Sequence, residues 1–285
     1  INNKQKKVSG NILIELSATL KWGSPKISEM IDAMYSRTMF LLNKDTNSPL
    51  KDMITLTGDN NKKKPFTTNT IVTAIARSKP FGKDTKGVHQ YGKFWKNKGE
   101  KEKSMTMSCQ CLVEVISGYL DLFKNDCKNW KLNEDNSKNG LLVLSNQGIS
   151  ALIHTMFDFI EEYSRNNNLI VSEYDSDTIV EWITPWTKTL INAINGYSKD
   201  KCNSMRNRLG KKGQDLIKVE FEGEVNKVHN DFSPPKLAEK LKILQNEWKD
   251  RADLLVDEME LNITNNVVKI LKQNFGEENV GVYPA

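Results

Sequence analysis

Apolar residues recur at helical spacing along most of this chain. From Pro25 to Leu42 they fall at Ile27, Ile31, Met34, Phe40 and Leu41 near one stripe. Ser24 is placed to cap that helix and Pro25 to sit in its first turn. The polar run 43–49 closes it. Met53–Thr57 alternates over too few residues for a helix and predicts a short strand. Thr67 and Thr68 cap a helix through Ile71, Ile75 and Ala76 to Arg77, and Pro80 ends it. A stronger helix is predicted from Ser104 to about Trp130, with Leu112, Ile116, Leu120, Phe123 and Cys127 on one face. Leu141–Leu144 reads either as a buried strand or as an apolar lead-in. A helix then opens at Ser145 and carries Ile149, Leu152, Ile153, Met156, Phe157 and Ile160 as far as Asn166. Ile179, Trp182, Ile183, Trp186, Leu190 and Ile194 make the next apolar face, which Pro185 is expected to kink or restart.

Beyond Ser233-Pro-Pro235 an apolar residue returns every three or four positions from Leu237 to Val267. This predicts one long helix or a helix pair. It reads either as packed along its own body or as a coiled-coil element for self-association. The fold class is therefore mainly α: an irregular multi-helix domain with a few short strands and a long C-terminal helical element. Residues 1–232 are expected to form the body and 233–285 that element. A chain of 285 residues is long enough to bury its own core.

Charge changes this picture more than composition does. The net charge is +5, with 35 lysines and only 6 arginines. Between residues 62 and 103, twelve basic residues face three acids; between 199 and 212, six face one. Those two segments hold more than the whole positive surplus, so the remaining chain is acidic, and the asymmetry suits an anionic partner. Phe81, His89, Tyr91, Phe94 and Trp95 are interleaved with the first set of lysines. Aromatic faces among cations stack bases while ammonium groups hold phosphates. The plainer alternative is a glycine-punctuated loop whose aromatics tuck into the body. Residues 206–213 likewise read either as a phosphate contact or as a helix end whose cations meet the C-terminal dipole. The candidate contacts are Lys62, Lys63, Lys64, Lys79, Lys83, Lys86, Lys93, Phe94, Trp95, Lys96, Lys98, Arg206, Arg208, Lys211 and Lys212. So few arginines imply phosphate contact rather than base-specific readout.

Catalytic patterns are missing. The sequence has no Gly-x4-Gly-Lys-Ser/Thr loop, no Gly-x-Gly-x2-Gly and no His-Glu-x2-His. His154 reads as a core or boundary histidine. His229, two residues before Asp231, is weak as a catalytic pair. Glu161 and Glu162 are adjacent, point to different sides of a helix and make a poor metal site. Four scattered cysteines suit reduced thiols in a cytosolic protein rather than a disulfide scaffold. No cofactor or metal is expected. No apolar run approaches the ~20 residues of a membrane span, and 1–10 is polar and basic without a leader's apolar core.

Several passages together resemble DGQHR-domain proteins, the bacterial group that includes the DNA sulfur-modification regulator DndB. Asn2-Asn-Lys-Gln-Lys-Lys-Val-Ser9 is similar to the family's N-x3-K-x-(V/I)-(S/N) stretch. Leu42-Asn-Lys-Asp-Thr-Asn-Ser-Pro-Leu50 is similar to its LNxDxxSP element, and Met53-Ile-Thr-Leu-Thr-Gly58 follows in the same order. Residues 142–153 resemble its LxxTxxGxxAL helix start, and Asn274-Phe-Gly276 its C-terminal ending without the tryptophan. The Asp-Gly-Gln-His-Arg signature is absent from this sequence; in the family it lies in an upstream ParB-like domain. The resemblance implies a C-terminal helical portion, a bacterial cytoplasmic setting and a DNA-associated role in modification, regulation or phage defence. It carries over no site residue and no nucleotide chemistry. The alternative from the residues alone is a protein-interaction or oligomerisation scaffold built on 237–267.

Overall fold

A computed structural model describes residues 10–56, 64–130, 142–208, 210–234, 237 and 239–242. In chain order the elements are α1 (Gly10–Leu20), α2 (Ile27–Lys44), β1 (Ile54–Thr55), β2 (Phe66–Thr67), α3 (Thr68–Arg77), β3 (Gly82–Thr85), β4 (Val88–Tyr91), α4 (Lys101–Asp126), α5 (Asn146–Asn166), α6 (Ser176–Asn195), α7 (Lys199–Arg206) and α8 (Gly210–Asn226). The described residues are mainly helical, with two two-stranded sheets among them, as the periodicity predicts. The chain divides into two units, 1–235 and 236–285. In the second, Leu237 and residues 239–242 are helical, and the rest of the 237–267 stripe lies outside the described residues.

Most local signals act where the sequence places them. Thr67 accepts a hydrogen bond from the Thr70 N–H and starts α3. Ser145 accepts from the Gly148 N–H and starts α5, and Asp175 accepts from the Thr178 N–H at the start of α6. Each satisfies a donor that a helix start leaves open. Leu112, Ile116, Leu120 and Phe123 of α4 are fully buried. β1 pairs in parallel with β2, Ile54 opposite Phe66.

Three expectations change, and one open choice is decided. α2 begins at Ile27, so Pro25 precedes the helix instead of opening it; Lys26 is the cap position, and Ser24 turns its hydroxyl to Glu29. α6 runs unbroken through Pro185. Glu181, whose carbonyl loses its helical donor there, is exposed. Of the two readings of Leu141–Leu144 the apolar lead-in holds: Leu142–Leu144 is a buried turn leading into α5. Within the basic segment, residues 82–91 form the hairpin β3–β4 where the plainer alternative had a glycine-punctuated loop.

α5 organises the body. It packs against α3, α6 and α8 and touches α4 and α7. Residues on nearly every side of it are buried, from Gly148 to Ser164, as befits a helix enclosed by others. α4 in turn packs on α2 and α6. All four cysteines are buried free thiols, and burial pushes Cys109 up to about 12. Among the described residues, no helix is long and apolar enough to cross a membrane.

The entry to α5 allows no side chain at Gly148, where a Cβ would stand 1.9 Å from the Leu142 carbonyl oxygen. Gly148→Ala is expected to lower stability by about 1–3 kcal/mol, read as a fall in the urea midpoint at unchanged slope.

Candidate nucleic-acid interface

The hairpin owes its shape to two residues at its tip and two rings at its base. Lys86 and Gly87 have φ of 54° and 81°, the positive pair of a type I′ turn, which matches the twist of the flanking strands. The Asp84 carboxylate accepts from the Gly87 N–H at 2.8 Å and holds that turn. At the base, Phe81 is fully buried and stacks on Tyr35 of α2. Phe94 meets Phe157 of α5 edge to face. Between them the two arms cross so closely that a Cβ on Gly92 would lie 2.3 Å from both the Gly82 nitrogen and the Pro80 oxygen. Strand register places Lys83 opposite Gln90 and Asp84 opposite His89.

The structure separates the interleaved aromatics by role. Phe94 is 2% exposed and Trp95 8%. Both anchor the hairpin in the core and offer no face for stacking, which corrects their expected part in binding. Tyr91 is different: it is 67% exposed and is backed by His89 and Trp95 at 4.4 and 5.1 Å between ring centroids. His89 is held through Nε2 at 2.9 Å from the Phe81 carbonyl.

The cations also divide. Lys96 is a strut: its Nζ donates to the Ser172 carbonyl at 2.9 Å and to that of Tyr174. Arg208 is buried and paired with Glu220 at 3.2 Å. Both were expected to face a polyanion and are instead spent inside the fold. Lys93 forms an ion pair with Glu161 at 2.5 Å while staying about half exposed. Lys64 and Lys212 each have a partner in the protein. Lys62 and Lys63 lie outside the described residues. Arg206 is half-buried in the last turn of α7, and Lys211 is exposed in the first turn of α8. Lys79, Lys83, Lys86 and Lys98 are exposed and make no ion pair among the described residues.

Sequence reasoning missed the cleft beside the hairpin. It encloses about 440 Å³, with Tyr91, Lys93 and Phe94 on one side, Arg77 and Lys79 on another, and residues of α5 and α8 as its floor. Arg77 donates to both oxygens of Asp215 at 2.9 and 3.1 Å and to Gln214 at 3.2 Å, which fixes the end of α3 against α8. Lys218 bridges Asp158 and, at 3.3 Å, the fully buried Glu222. Burial disfavours its charge, but the two carboxylates outweigh that and hold its pKa above the ordinary lysine value. His154 lines the floor, 5% exposed, with Nε2 lacking any hydrogen-bond partner. Burial, with Arg77 and Lys218 close by, lowers its pKa to about 4. Its place on the Ile149–Ile160 helix marked His154 as a core or boundary residue; its neighbours on α3 and α8 are distant in sequence.

His229 accepts or donates at 2.8 Å with Thr189, and its Nδ1 is 3.9 Å from Asp231. That last separation exceeds a hydrogen bond, and none of the three lines the cleft. The contact ties the end of α8 to α6. Among the described residues no group of three or more His, Cys, Asp or Glu is placed to hold a metal ion.

No family model, curated protein or solved structure matches this chain. The site therefore stands on its own geometry.

Lys96→Met leaves two carbonyls without their donor and is expected to cost about 1–3 kcal/mol of stability, measured by urea unfolding. For His154, the native ring resists a proton that the unfolded ring takes near pH 6.5. Native stability thus drains away as pH falls from 6.5 toward 4. His154→Leu is expected to flatten that part of the stability-versus-pH curve relative to the wild type.

Proposed function

We propose that the 1–235 unit is a nucleic-acid-associated module that grips phosphates through the β3–β4 hairpin and its base. The observation that carries this reading is the set Lys79, Lys83 and Lys86, exposed without carboxylate partners, beside the exposed ring of Tyr91. Two of these lysines occupy backbone where glycine is the less costly residue: Lys79 has φ 50° and Lys86 φ 54°. A side chain kept at such positions points to use of its charge. The hairpin is narrow, stiffly anchored and basic, a shape suited to lying along a phosphate backbone or in a groove. The resemblance to DGQHR-domain proteins favours DNA as the polymer, in a bacterial modification, regulatory or defence setting. Contact is non-specific in sequence, since ammonium groups hold phosphates without reading base edges.

The test is fluorescence anisotropy with duplex and single-stranded DNA at two salt concentrations. Three phosphate contacts on duplex predict a loss of roughly 40-fold in affinity for a fourfold rise in salt. The variant Lys79→Gly/Lys83→Ala/Lys86→Gly is expected to keep or gain stability, because glycine relieves both left-handed positions, and to lose most of that affinity and its salt slope. Binding unchanged in this variant, or absent at low salt in the wild type, rejects the proposal and leaves the lysines as a solvated surface.

A further inference from the structure

Ammonium groups suffice to hold phosphates; the ring of Tyr91 adds something they do not need. Among the described residues Tyr91 is the only exposed aromatic side chain. Strand register pairs Gly82 with Tyr91 and Asp84 with His89. Cross-strand partners share a face of a ribbon, so Tyr91 and His89 stand on one face while Lys83 and Gln90 occupy the other. His89 lies 4.4 Å from Tyr91 and 4.7 Å from Trp95, and Trp95 lies 5.1 Å from Tyr91, between ring centroids. Trp95 is buried in the body, and His89 is tied to the Phe81 carbonyl. The two inner rings are thus fixed, and Tyr91 closes the cluster on the solvent side with most of its own surface open. Exposed cations stand toward either end of the ribbon: Lys79 borders the same cleft as Tyr91 at the base, and Lys86 sits in the turn at the tip. A supported ring among ammonium groups is the arrangement on which an unpaired base stacks.

We infer that the hairpin prefers single-stranded DNA and stacks one unpaired base on Tyr91. This rests on the nucleic-acid reading and names the form of the polymer. In a duplex each base already has a neighbour on both faces, and a ring reaches one only by unstacking a step, which is costly. A single strand offers the face without that cost. Lysines alone choose the other way: duplex DNA carries the denser phosphate charge and releases more counterions per contact. A preference for the single strand therefore has to come from the ring. The stack tolerates any base, because every base has a π-face, in keeping with a grip that does not read sequence.

The experiment measures fluorescence anisotropy of the full chain, at one low salt concentration, with three labelled probes of equal length: an oligothymidylate, an abasic strand and a duplex. The abasic strand keeps the phosphates and removes the bases. The wild type is expected to hold the oligothymidylate about tenfold more tightly than the abasic strand, the size of one base–aromatic stack, and more tightly than the duplex. Tyr91→Ala is expected to bring the oligothymidylate down to the abasic level while leaving abasic and duplex binding unchanged. Tyr91→Phe, which keeps the ring, is expected to stay near the wild type. Wild-type binding that ignores the bases, or an oligothymidylate held undiminished by Tyr91→Ala, overturns the proposal. An equal loss on all three probes in Tyr91→Ala overturns it too, since a contact with a base spares the abasic strand. The probes also separate this inference from the phosphate grip. Abasic strand and duplex bound as well as the oligothymidylate sink the stack alone. Tyr91-dependent binding of the oligothymidylate with neither of the others bound sinks the grip alone, and no binding of any probe sinks both.

Discussion

The burial of α5 on almost every side is the constraint from which the rest of the unit follows. A helix enclosed in that way needs neighbours all round it, and α3, α6 and α8 supply the main contacts. It also carries polar residues inward, and each must find a partner or remain costly. Glu162, nearly fully buried, takes Arg165 at 2.5 Å. Asp158 takes Lys218 of α8, and Lys218 in turn neutralises the buried Glu222. His154 Nε2 has no hydrogen-bond partner among the described residues, and His154 sits where α3, α5 and α8 border the cleft. The enclosure of one helix thus produces the core, the ion-pair bridges and the unpartnered histidine nitrogen together.

The hairpin is the counterpart of this on the surface. A two-stranded ribbon is marginal by itself, and this one is held by burying Phe81 on α2 and Phe94 on α5. Trp95 then backs Tyr91 from beneath. Rings interleaved with lysines therefore serve two ends: most of them fix the ribbon, and Tyr91 remains outside. The lysines divide by the same geometry. Those close to helices, such as Lys93 and Lys96, meet acceptors of the body, whereas Lys79, Lys83 and Lys86 are exposed and make no ion pair among the described residues. Residues of the first basic segment and α8, which begins within the second, meet across Arg77–Asp215. Yet Lys201 and Arg208 are matched by Glu220 and Glu224, so the two segments do not sum into a single field of free charge.

Read alone, the sequence determined the helices, because a repeat of three or four residues and a capping Ser, Thr or Asp are local properties. The stretches at Thr67–Arg77, Ser104–Asp126 and Ser145–Asn166 were legible for that reason, as was the basic character of residues 62–103. The hairpin was not: Lys86-Gly87 lacks the Asn or Asp that usually announces a type I′ turn, and its strands alternate too little. Which lysines remain free, which rings are buried, and that His154 is buried beside Arg77 and Lys218 were decided only by tertiary structure. Each depends on distances between residues tens of positions apart, and a charge or a ring has no assigned role until packing settles what stands opposite it.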